Sequence, residues 1–101
     1  MKSFEYKSWR RGVFERDDFT CQMNDCDKRG GRLRAHHIKR YIDYVDLRLD
    51  KNNGITICEK CDNSFVLHRE TQYEQHFFNN LHERGFLTKE DVSYYLNLKK
   101  R

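Results

Sequence analysis

Gly30-Gly31-Arg32-Leu33-Arg34-Ala35-His36-His37-Ile38 and, further on, Asn53-Gly54-Ile55-Thr56-Ile57-Cys58-Glu59-Lys60-Cys61 share a plan in which a turn feeds a short run of β-type residues. In the first, the glycine pair leads into alternating apolar and polar residues, the pattern of a strand, with two histidines at its end. In the second, Asn53-Gly54 turns the chain into Ile55-Thr56-Ile57-Cys58, a second β segment, and a helix carrying His68 is expected after Cys61. Adjacent strand residues point to opposite faces, so His36 and His37 do not ordinarily ligate the same ion. One imidazole can take a metal while the other faces a water, because an unperturbed pKa of about 6.5 leaves much of a histidine neutral and able to accept a proton. A solvated strand end is the plainer reading of the same pair.

Flanking these segments are four cysteines, as Cys21-x4-Cys26 and Cys58-x2-Cys61. Two thiolate pairs, each closed by a short turn, supply the tetrahedral ligand set of a structural Zn2+, and four sulfurs leave no open position for a catalytic water. Two disulfides, or buried cysteines without a ligand, are the alternatives. Met1-Lys2-Ser3-Phe4-Glu5-Tyr6 contains no apolar leader and no run reaches membrane-spanning length, so the expectation is a soluble, cytoplasmic chain with reduced thiols and no membrane partner.

Outward from this centre the chain reads as helix. Tyr6, Trp9 and Val13 with Phe14 recur at helical spacing, Ser8 is a candidate cap, and the pattern breaks near Asp17-Asp18. Beyond His68, Tyr73, Phe77 and Leu81 fall four apart with Gly85 as a closing residue. Thr88 and Asp91 then suggest an N-cap ahead of a last helix with Val92, Tyr95 and Leu96 on one side, before Lys99-Lys100-Arg101. The 101 residues, with no proline and no linker-like tract, predict one domain. Charged residues at 36% against 37% apolar leave a thin core, the situation in which small domains need a metal or disulfide staple. A net charge of +4, with Arg10, Arg11, Arg29, Arg32, Arg34, Lys39 and Arg40 crowded in the first forty positions, suits a polyanion as readily as a solvated surface.

Three segments in order, Arg16-Asp17-Asp18-Phe19-Thr20-Cys21 and the two quoted at the outset, resemble the zinc-containing branch of the HNH endonuclease family, found often in phages and bacteria. The resemblance covers roughly half the chain. It implies an α+β fold: a small ββα-metal core over about 17–68, stapled by a zinc site of four cysteines, with an N-terminal helix and a helical C-terminal extension over about 69–101. It implies that His36 is a metal ligand, that His37 is the general base, and that Asn53 either helps ligate the metal or positions the loop beside the base.

The departure is at the third position, where family members carry a histidine after the second Cys pair and this chain has Asp62. The position four residues on, often a second histidine, is Val66, with His68 two positions beyond it. Asp62 is expected to replace the missing ligand for a hard cation, Mg2+ or Mn2+, with His68 as a further ligand or phosphate contact, although Asp62 is also suited to cap a helix. Arg10, Arg11, Arg34, Lys39 and Arg40 are the candidate DNA contacts. The implied activity is a metal-dependent DNA endonuclease, nicking or cutting both strands, whose partners are DNA and phage packaging or other nucleic-acid-processing proteins. The competing expectation is a zinc-stapled DNA-binding or accessory module with an impaired site.

Overall fold

Helix α1 spans Phe4–Arg16 in the computed structural model, which describes residues 3–100. Its cap is Ser3, not Ser8: the Ser3 hydroxyl accepts from the Tyr6 N–H at 3.1 Å, more than a full turn earlier than the apolar spacing suggested. Trp9, Val13 and Phe14 are its buried side. The helix stops where Asp18 and Phe19 take left-handed backbone angles. Met1, Lys2 and Arg101, at the two ends of the sequence, lie outside the described residues.

Strands β1 (Leu33–His37) and β2 (Gly54–Cys58) pair antiparallel, with Leu33 opposite Cys58, Arg34 opposite Ile57, His36 opposite Ile55 and His37 opposite Gly54. Between them the chain makes two 3₁₀ turns, Val45–Leu47 and Lys51–Asn53. Helix α2 begins earlier than expected. It is an α-helical turn over Glu59–Cys61 that runs on as a π-helical turn over Asp62–Val66, and its N-cap is Cys58, whose sulfur accepts from the Cys61 N–H. Asp62 is therefore inside the helix and does not cap it. His68 lies beyond the helix end, at a φ of 68°, so α2 does not carry it.

Helices α3 (Glu70–Glu83) and α4 (Lys89–Asn97) follow, separated by Gly85 at a φ of 88°, where a side chain would be strained. Thr88 is the expected N-cap, and with Asp91 it forms a capping box, each side chain accepting from the other's backbone N–H. The described residues thus make an α+β fold of one two-stranded sheet and four helices.

Strand alternation gives the sheet two different faces. Ile55 and Ile57 point into the main core, with Ile38, Val66, Phe77, Phe78 and Leu81, all without exposed surface, and Phe78 stacks on Tyr95 of α4. Gly54 and Thr56 point the other way, toward α1. A Cβ on Gly54 would come within 2.6 Å of both Trp9 and Val13, so only glycine allows the helix this close. The Thr56 hydroxyl donates to the Val13 carbonyl. β2 is consequently buried on both sides along its whole length.

Asp17, at the end of α1, is the polar bolt of the structure. Buried at 3% exposure, its carboxylate accepts from Arg16, from the Thr56 N–H of β2 at 2.8 Å, and from Arg84 after α3 at 2.7 Å. Burial works against its charge, but the hydrogen bonds and charges of Arg16 and Arg84 prevail and hold its carboxyl below the ordinary 3.8. Its stabilising contribution is therefore complete above that ordinary value and is lost as the pH falls through the lowered one. Asp17→Asn leaves the buried Arg16 uncompensated and is expected to cost about 3–5 kcal/mol in urea denaturation. The variant should also show a shallower loss of stability in acid than the parent chain.

Candidate functional site

The four cysteines converge at one end of the sheet. Cys58 ends β2 and Cys61 lies one helical turn on, while Cys21 and Cys26 come from the loop between α1 and β1. That loop is tied to the sheet by the Gln22 N–H donating to the Thr56 carbonyl at 2.9 Å and is closed on itself by the Cys21 N–H donating to the Lys28 carbonyl. The four sulfurs lie within 4.8 Å of one another, and all four are free thiols, so two disulfides are not how the cluster is built. A tetrahedron with Zn–S bonds of about 2.3 Å has edges of about 3.8 Å, inside that bound. The cluster can hold a metal ion such as zinc. Burial pushes the Cys21 and Cys61 thiols up, whereas Cys58, despite its own burial, is held below the ordinary value chiefly by the Cys61 N–H and the neighbouring thiols. A divalent cation supplies the charge that offsets the cost of a set of buried thiolates.

The opposite end of the sheet carries the histidines. His36, opposite Ile55, turns toward the core and meets the Phe77 ring edge-on at 5.4 Å. Its Nε2 is buried and has no hydrogen-bond partner. Burial lowers its pKa to about 4, against the opposing pull of Asp62 and Glu70, so the imidazole is neutral near pH 7 and keeps the form that binds metals. An unpaired, buried ring nitrogen with two carboxylates acting on it suits a cation.

His37, opposite Gly54, faces α1. Its ring lies flat on Trp9, with centroids 3.9 Å apart and planes 9° from parallel, and Tyr41 closes on its edge at 5.2 Å. The His37 Nε2 sits 2.9 Å from the Arg48 carbonyl. Trp9 is itself fixed by an indole N–H bond to the Asp50 carbonyl. Although the two histidines leave opposite faces of β1, both border one open cleft of about 440 Å3, together with Arg40, Tyr41, Ile42 and Glu70.

Asn53 is fully buried, and its amide is used up by the backbone. The side-chain oxygen accepts from the Lys39 N–H at 2.7 Å, and the nitrogen donates to the carbonyls of Lys39 and Leu47. Asn53 thus clamps the segment leaving β1 to the turn that enters β2.

Three expected contacts are placed differently. Lys39 is not a surface phosphate contact, because its side chain is buried, ion-paired with Glu74 of α3 at 3.0 Å and set over the Tyr44 ring. Asp62 is bound by Arg34 at 2.5 Å, and Arg34 also reaches Asn63 and Glu59. His68 is exposed, and among the described residues no group of three possible ligands other than the cysteines converges within a metal's reach. Arg10, Arg11 and Arg40 are surface residues, the last paired with Asp43. Glu70, which borders the cleft, carries no sequence signal beyond a lone acidic residue opening a helix.

Comparison with family models, curated proteins and solved structures finds no match to this chain. No helix among the described residues is long and apolar enough to cross a membrane.

Two outcomes are expected from the site as built. Chain purified without chelator should carry about one equivalent of zinc by elemental analysis, and a strong chelator should remove both the metal and the cooperative thermal transition. Asn53→Ala, which strands buried backbone groups on both sides of the clamp, should lower stability by at least about 2 kcal/mol in chemical denaturation.

Proposed function

We propose that this chain is a metal-dependent DNA endonuclease of the HNH type, hydrolysing phosphodiester bonds with His37 as general base. The observation that carries the reading is the contrast between two neighbouring histidines on one cleft. One ring is stacked and hydrogen-bonded in a fixed orientation, and the other presents a buried nitrogen with no protein partner.

A backbone carbonyl only accepts, so in its neutral form His37 carries its proton on Nε2 and keeps the lone pair on Nδ1. In the proposed step the neutral imidazole takes a proton from water. The Arg48 carbonyl holds the tautomer and steadies the imidazolium as it forms, a role that an orienting acceptor commonly fills for a catalytic histidine. The flat contact with Trp9 keeps the ring from turning. On the far side of the strand, His36 Nε2 is suited to ligate Mg2+ or Mn2+, with carboxylate charge from Asp62 and Glu70 nearby. When bound, such a cation neutralises charge growing on the phosphate and leaving oxygen.

The thiol cluster is proposed to hold zinc in a structural role, since four sulfurs leave no open coordination position. DNA is proposed as the substrate because the chain carries a net charge of +4 and exposes Arg10 and Arg11 on α1 and Arg40 at the cleft.

One observation favours a different role. Arg34 engages the carboxylate of Asp62, the residue expected to stand in for the histidine that this chain lacks, as would suit a DNA-binding module whose catalytic site is impaired. Conversion of supercoiled plasmid separates the two. With Mn2+ or Mg2+ the zinc-loaded chain should nick or linearise DNA, EDTA should stop it, and His37→Ala should cut at least about 100-fold more slowly while keeping its zinc and melting temperature. A folded parent chain that cuts no faster than His37→Ala, yet still shifts DNA in a gel, would establish the binding module instead.

A further inference from the structure

The cleft needs more than His36 to hold a hard cation, and neither of the expected partners is available for it. Asp62 lies near enough for its charge to act on His36 but is engaged by the Arg34 guanidinium, and the His68 side chain is exposed on a left-handed turn. We infer that Glu70 supplies a carboxylate ligand alongside His36, in the place expected for His68; its catalytic meaning rests on the nuclease reading, while cation binding itself does not.

Three features bring Glu70 to this position. The chain reverses after α2 through a turn in which the Arg69 N–H donates to the Val66 carbonyl, and this sets Glu70 as the first residue of α3. The His68 N–H donates to Glu70 Oε2, which fixes the carboxylate and leaves Oε1 as an acceptor. Glu70 is the carboxylate among the residues that border the cleft, where His36 also lies.

The buried His36 Nε2, with no hydrogen-bond partner, is the independent sign that a ligand belongs there. The edge-on contact with Phe77 holds the ring in place, and no hydrogen bond claims the Nε2 lone pair. One imidazole nitrogen and one carboxylate oxygen, with water in the other positions, make a donor set that favours Mn2+ and accepts Mg2+. The turn at His68 thus contributes its backbone, not its imidazole.

Mn2+ titration of the full, zinc-loaded chain, read by loss of the free-ion EPR signal, tests this without reference to cutting. Glu70→Gln, which keeps the acceptor for the His68 N–H, and His36→Ala should each bind Mn2+ about tenfold or more weakly. His68→Ala should match the parent within about twofold, and Glu70→Asp should recover part of the loss. Melting temperatures establish that each variant is folded. If Glu70→Gln binds like the parent while His36→Ala is weakened, the assignment of Glu70 fails and the nuclease reading survives. If His36→Ala also binds like the parent, there is no cation site at this cleft and both fail.

Discussion

His37 lies across the sheet from a residue with no side chain, and the cleft is organised by that pairing. Opposite Gly54 there is room for α1 to approach until Trp9 fills the space a Cβ would need. The indole that enters is the surface on which the His37 ring lies flat. A larger residue at 54 would push α1 outward and take the stacking platform with it. The register also fixes the neighbour: with His37 on the α1 side, His36 must turn inward beside Ile55 and meet Phe77. A single pairing therefore sets one histidine in a stacked, hydrogen-bonded environment and the other in a desolvated one.

Holding that register is a problem for a sheet of only two strands, which is marginal alone in water. The molecule braces it from three directions. Asp17 locks the end of α1 to β2 and to Arg84, the thiol cluster would tie the β2 end to the loop before β1 with a metal ion bound, and Asn53 joins the two strand termini at the histidine end. All three braces are polar or metal-suited. That is consistent with a composition whose apolar share is too small for packing alone to hold the fold.

Much of this was legible in the sequence, and what was not has a common physical cause. Alternation over 33–38 and the Asn-Gly turn announced both strands, and periodicity with capping residues announced α1, α3 and α4, because those signals are local. Cys spacing announced a cluster. Ser8 was the wrong cap because Tyr6, which belongs to the helix, precedes it in the chain. Lys39 read as surface because its partner Glu74 is far away in sequence, and a buried ion pair has no local signature. The start of α2 was misplaced because Cys58 caps it with a sulfur, which propensity reasoning does not anticipate. The place of Glu70 at the cleft and of His68 outside it has no sequence signal, because the π-helical turn and the left-handed residue after it reverse the chain in a way that residue spacing does not encode.

The two histidines also show why residue type alone cannot assign roles at such a site. A general base needs an orienting acceptor on one nitrogen, a ring that is held in place and access to water, and His37 has the carbonyl, the indole and the cleft. A ligand needs a neutral ring with a nitrogen that nothing else claims, and His36 has both, by virtue of burial. With their environments exchanged, neither could fill the role proposed for the other. A buried base could not carry the proton it took up, and a ring pinned through Nε2 could not offer that nitrogen to a cation. The chemistry available to the pair is thus decided by the alternation of a single strand, with Asn53 and Trp9 as the residues that keep the strand's end where that alternation has placed it.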